Sequence, residues 1–131
     1  MKETRFAAAS DLIIIAGRIW GPAGGRPLRL AVDTGATHSL VMPDIVDELG
    51  YSPRDGEAIT TVRAALGKEQ GYVLRVSRFE ALGFAISDFP IHVFELPEGF
   101  GIDGLVGLTF LRQFNYQVRS REGRILVERA A

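Results

Sequence analysis

The stretch Leu30-Ala31-Val32-Asp33-Thr34-Gly35-Ala36-Thr37-His38-Ser39-Leu40 constrains this chain more than any other. Leu28, Leu30 and Val32 alternate with Arg29 and Ala31, the period-two pattern of a half-buried strand. That strand runs into an Asp-Thr-Gly turn and a second apolar segment leaves it, so a carboxylate is held at a tight loop between two buried segments. A catalytic acid is placed in such a position. Gly35 allows a backbone shape, or a close approach by another chain, that a side chain would obstruct. At average residue usage the tripeptide arises by chance in roughly 3% of chains this long. Its setting therefore has to carry the argument.

That setting is β-like on both sides. Leu12 to Ile15 and Ile19-Trp20 read as a strand, and Gly21 to Gly25 as the turn that returns it to the Leu28 to Val32 strand. Ser39 to Met42 makes a short strand. Pro43 then suits the first turn of a helix, with Asp44 favoured by the dipole, Ile45 and Leu49 on the inner face and Gly50 as the stop. From Ala58 to Phe94 strand formers dominate, and Thr60 to Tyr72 predicts a hairpin with a projecting tip at about Ala64 to Gln70. Glu95 to Gly104 reads as a loop and Leu105-Val106-Gly107 as a short buried strand. Phe110, Leu111 and Phe114 follow at helical spacing, and Tyr116 to Arg119 with Arg124 to Glu128 predict a terminal hairpin. No repeat, linker or low-complexity tract interrupts the chain, so residues 1–131 are expected to form a single domain.

Several function classes are disfavoured by composition. Fifteen basic against sixteen acidic residues leave a formal charge of −1, which gives no electrostatic footprint for nucleic acid or an anionic membrane. Absence of cysteine removes disulfides, thiol nucleophiles and thiolate metal sites. His38 and His92, the two histidines, are a poor ligand set without cysteine, so no metal and no cofactor is expected and a surface or cap role suits His38. Asp55-Gly56 and Asp103-Gly104 lack the intervening hydroxyl residue and read as turns. The series Phe79, Phe84, Phe89 and Phe94 reads as core packing, because no basic cluster accompanies it as in a base-stacking platform. The early apolar run Leu12 to Ala16 is too short to span a bilayer, and Met1 to Ser10 does not resemble a secretory signal. A soluble, cytoplasmic domain without membrane contact is the favoured expectation; a segment cut from a longer or membrane-anchored protein is the other.

Asp33-Thr34-Gly35-Ala36 between apolar strands, followed far downstream by Leu105-Val106-Gly107 and a short helix-like run, resembles one subunit of a retropepsin-like aspartic protease over roughly residues 11–119. The resemblance implies a mainly β fold, a closed acid-protease-like β barrel with one or two short helices. It implies Asp33 as the catalytic carboxylate, supported by Thr34, Gly35 and Ala36. It also implies a flap, with Ala65, Leu66 and Gly67 joining Ile102 and Leu105 in binding substrate.

Hydrolysis by carboxylates alone needs one as base towards water and a second, protonated, to polarise the carbonyl. One Asp-Thr-Gly per chain therefore calls for a homodimer, in which a twofold axis brings two copies of Asp33 together. The expectation is an aspartic endopeptidase acting on peptide or protein substrates. A catalytically silent peptide-binding or dimerisation module of the same fold, keeping Asp33 as a turn residue, is the alternative. Two departures from the retroviral pattern stand out. Retroviral members commonly pair an Asp after Asp-Thr-Gly-Ala with an Arg after the apolar-apolar-Gly motif, and Thr37 and Leu108 occupy those places here. The C-terminal hairpin is also longer than the short dimerising tail of the viral enzymes.

Overall fold

A computed structural model describes residues 1–64, 67–96 and 101–130, with the backbone alone for 58–64 and 67–70. The elements run β1 (Lys2–Arg5), β2 (Ile14–Gly21), β3 (Gly24–Val32), β4 (Leu40–Val41), α1 (Pro43–Glu48), a 3₁₀ turn (Pro53–Asp55), β5 (Ala58–Ala64), β6 (Gly67–Ala81), β7 (Phe84–Val93), β8 (Gly104–Val106), α2 (Leu108–Leu111), β9 (Phe114–Arg119) and β10 (Arg124–Arg129). Seven strands form one sheet in the order β2-β3-β8-β4-β7-β6-β5, and a further β2–β6 pairing closes six of them into a ring. The fold is thus mainly β and closed, with only short helices.

The first hairpin forms as the alternation predicts. Ile15 and Ile19 on β2 and Leu28 and Leu30 on β3 are buried. Its turn is tighter than expected, because Gly21 and Gly24 still pair across it and leave Pro22-Ala23 as the connection. The strand also starts later than expected, at Ile14 instead of Leu12. Gly17 sits at the closing seam, paired with Leu28 on one side and Ala81 on the other. A Cβ there would lie 2.5 Å from Leu30 Cδ1 and 2.8 Å from the Glu80 carbonyl oxygen, so only glycine lets β2 approach both neighbours.

β6 and β7 change which face they turn inward. Leu74 and Val76 are buried opposite Ile91 and Phe89, but further along Phe79 and Ala81 point inward. The switch falls at Ser77 and Asp88, both exposed, where the ladder skips a pair and Asp88 adopts φ +52°. One strand pair can therefore serve two packing layers.

The aromatic side chains follow this path. Phe79 stacks on Phe89 with centroids 5.2 Å apart, Phe110 meets both edge-on, and Phe114 links Phe110 to Phe84. Phe79 and Phe89 are core residues as read from the sequence. Phe94 is only half-buried and stands outside the core.

α1 occupies its expected place, burying Ile45, Val46 and Leu49 and stopping at Gly50 with φ +90°. The helical spacing of Phe114 does not extend α2, which ends at Leu111; Phe114 opens β9. The terminal hairpin is present, and β1 adds to it in a sheet ordered β1-β10-β9. Sequence patterning misses β1 because Lys2–Arg5 carries no apolar alternation. It is held by the ladder to β10, by an ion pair of Glu3 with Arg124 (3.1 Å) and by the Lys2 ammonium over the Phe84 ring. Among the described residues no helix is long and apolar enough to cross a membrane.

Candidate active site

The parallel pairing of β3 with β8 places the site. Leu30, Ala31 and Val32 lie beside Gly104, Leu105 and Val106, so both strands end together and Asp33 leaves the sheet next to Gly107. The Asp33 N–H continues the ladder to the Val106 carbonyl (2.9 Å). Ala36 N–H donates back to the Asp33 carbonyl (3.2 Å), and Gly35 N–H donates to Asp33 Oδ1 (2.9 Å). The carboxylate is therefore aimed by its own turn, with a hydrogen bond to its ionised form.

A second set of bonds ties this loop to α2. Leu108 and Thr109 donate their N–H groups to the carbonyls of Ala36 and Thr37, both at 2.9 Å. Ser39, fully buried, accepts from Gly107 N–H through Oγ (3.1 Å), while its own N–H donates to Thr109 Oγ1 (3.2 Å). Gly107 has no alternative residue at this crossing: a Cβ would stand 2.5 Å from the His38 carbonyl oxygen and 2.8 Å from that of Ala36. Gly104 is confined in the same way by the Leu40 carbonyl.

Asp33 and Ala36 are half-buried, whereas Thr34, Gly35, Thr37 and His38 are exposed on the outer side of the loop. Beside Asp33 opens a mostly apolar cavity of about 470 Å³, with Ile13, Val32, Leu96, Ile102 and Leu105 in its walls. Ile102 and Leu105 thus line the same cavity as Asp33. Gly67 begins β6 opposite Ala64. Ala65 and Leu66 lie outside the described residues.

The remaining candidates fall into scaffold roles. Asp103 Oδ2 accepts from Arg29 N–H (2.7 Å), and Asp55 Oδ2 accepts from Ser52 N–H (2.8 Å). His38 and His92, separate in the sequence, stack with ring centroids 4.0 Å apart and 16° between planes. The parallel pairing of Leu40 with His92 brings them together. Burial, and secondly the neighbouring His38, push the His92 imidazole below its ordinary range.

A family model described as aspartyl protease matches residues 17–110, which contain both the Asp33 loop and the Val106-Gly107 crossing. The chain belongs to the aspartyl protease family. Its fold is retropepsin-like, as its similarity to two solved structures shows. One is a retropepsin-like aspartic protease from Rickettsia conorii, with TM-score 0.69 and 16% identity over 95% of this chain and 88% of that one. The other is the retroviral protease-like domain of Ddi1 from Leishmania major, with TM-score 0.61 and 15% identity over 91% of this chain and 90% of that one. No curated protein sequence matches the chain significantly. This retropepsin-like chain contains two site residues that its sequence did not single out, Ser39 and Thr109. Their signal was weak, because a lone serine before an apolar pair and a threonine in a short helix are both common.

Proposed function

We propose that this chain is an aspartic endopeptidase that cleaves extended peptides, its active site completed by a homodimer with one Asp33 from each subunit. The observation that carries this reading is the Asp33 carboxylate, oriented by Gly35 N–H at the edge of an apolar cavity, on a loop whose outer residues are open to solvent. A second copy related by a twofold axis could approach that open side, because an isologous contact pairs each axial residue with itself. In this arrangement Thr34 hydroxyls hold the two loops in register, and Gly35 leaves the backbones room to meet.

The ionised Asp33 takes a proton from a water molecule as that water attacks the peptide carbonyl. The protonated Asp33 of the second subunit hydrogen-bonds the carbonyl oxygen and gives its proton to it. As the tetrahedral diol collapses, the amine leaves with the proton taken up by the first Asp33. A diol hydroxyl returns its proton to the second Asp33 as the carbonyl re-forms, so one proton again remains shared by the pair. Like-charge repulsion keeps the two carboxyls in different states, so activity should follow a bell in pH. With Ala36 in place of the Ser or Thr usual in two-lobed pepsins, a hydroxyl donor to the ionised form is missing.

The test combines sedimentation with peptide cleavage. Self-association across a wide concentration range, cleavage that follows the dimer fraction, and binding of a pepstatin-like inhibitor only when Asp33 is intact are the expected results. A strict monomer that hydrolyses peptide would remove the dimer mechanism. A folded dimer that cleaves nothing and binds no such inhibitor would leave a silent dimerisation module.

A further inference from the structure

Asp33 is not the only carboxylate at the cavity, because Asp11 contributes to the same wall. Its position follows from the register: Val32 N–H donates to the Ile13 carbonyl, and beyond that bond the chain carries Leu12 and Asp11 past Asp33. Asp11 is exposed and, unlike Asp103 and Asp55, its carboxylate has no hydrogen-bond or ion-pair partner among the described residues. Arg29, the cation on the adjoining strand, directs its Nε to the Gly101 carbonyl instead (3.0 Å). Apart from Asp11 and Asp33, the described residues of the wall, among them Ile13, Val32, Leu96, Ile102 and Leu105, are aliphatic.

An aliphatic wall ending in an uncommitted carboxylate matches a side chain with a methylene stem and a cationic head. We propose that Asp11 determines substrate specificity by selecting a lysine or arginine side chain for the pocket beside the scissile bond. This assignment rests on the endopeptidase reading above. A leucine or norleucine would fill the walls equally well but leave Asp11 facing water. A glutamate would bring a like charge against both Asp11 and Asp33, and is rejected. In the homodimer each pocket carries its own Asp11, so the preference applies on both sides of the bond that is cut. Peptides with basic residues at the two symmetry-related positions are then the best substrates.

The experiment is a positional scan with the full chain as the dimer. Peptides differ only in carrying Lys, Arg, norleucine or Glu at each of the positions flanking the cleaved bond, and kcat/KM is measured for each. At one position on each side Lys and Arg should exceed norleucine by about tenfold, with Glu lowest, and the ratio should shrink as salt is added. In Asp11→Asn the Lys-to-norleucine ratio should fall to within about twofold of one, and in Asp11→Lys the order of Lys and Glu should reverse. Circular dichroism checks that both variants fold. Efficient cleavage of norleucine peptides with no Lys or Arg preference at any position overturns the assignment of Asp11 and leaves the endopeptidase reading standing. A basic preference that persists in Asp11→Asn overturns it as well. No cleavage of any peptide by the wild-type dimer overturns the endopeptidase reading and this assignment with it.

Discussion

Asp33 and Asp103 stand at opposite ends of the same parallel strand pair, and they differ in what surrounds the carboxylate. Asp103, at the entry to β8, gives Oδ2 to Arg29 N–H, and its main chain bonds Arg29 and Met42. Asp33, at the exit of β3, gives Oδ1 only to its own turn and sits beside the cavity. One carboxylate is consumed in joining strands and the other is oriented with capacity to spare. An aspartate becomes available for chemistry when its loop is held by other groups. Around Asp33 those groups are main-chain amides, Ser39 and Thr109.

The sharpest way to break the comparison is to neutralise each aspartate in turn. Asp33→Asn keeps the acceptor for Gly35 N–H and should lower peptide cleavage by about 10³-fold or more while the thermal midpoint stays close to wild type. Asp103→Ala should act in the opposite way. It removes a charged acceptor and should cost about 1.5–3 kcal/mol in denaturant unfolding, with kcat nearly preserved in the folded fraction. Activity retained in purified Asp33→Asn would end the proposed chemistry.

Next in size is the support of the Asp33 loop. Gly107→Ala pushes a methyl group against the His38 and Ala36 carbonyls and should cost about 1–3 kcal/mol. Ser39→Ala leaves Gly107 N–H unpaired in a buried place, with a similar cost of about 1–3 kcal/mol. Both variants should lose kcat beyond their loss of folded protein, because they loosen the loop that aims the carboxylate. Equal and purely structural losses at Gly107 and at Gly104 would show that the two ends of the strand pair are not different in kind.

The smallest effect expected is a pH dependence confined to one end. Since His92 is held below its ordinary range, the unfolded chain takes up that proton first. Its contribution to stability is complete above about pH 6.5 and is lost as pH falls through the folded value. His38 belongs to the Asp33 loop and has no counterpart near Asp103. Acid should therefore raise hydrogen exchange at Leu108 and Thr109, which are bonded to that loop, before it affects Met42 or Asp103. His92→Phe should flatten this response.

The first hairpin, α1 and the Asp33 turn were legible in the sequence because their determinants are local: alternation in Leu28 to Val32, Pro43 and Gly50 bounding α1, and the Asp-Thr-Gly turn itself. Closure into a barrel was implied by the family resemblance and depends on the distant β2–β6 pairing. Asp33, Ile102 and Leu105 converge because Leu105 lies within β8 and Ile102 just before it, and β8 pairs beside the strand that ends at Asp33, an arrangement implied by the family resemblance. β1 was not legible, since its four residues owe their strand form to β10 and to the Glu3–Arg124 pair. Nor was the histidine stack, which depends on a parallel pairing between residues 52 apart in number, Leu40 and His92. The buried Ser39 bond belongs to the same class. Its energy lies in a partner that only the folded chain supplies.

Gly17 has a consequence for assembly as well as for packing. By letting β2 pair on both sides, it gives every strand of the six-membered ring a hydrogen-bonded neighbour on each side over at least part of its length. Among the described strands, β5, β1 and β9 are those with a neighbour on one side only. Strand addition, whether by an extended peptide or by another copy of the chain, finds its longest continuous templates at those three edges, because closure shortens what the ring strands leave open.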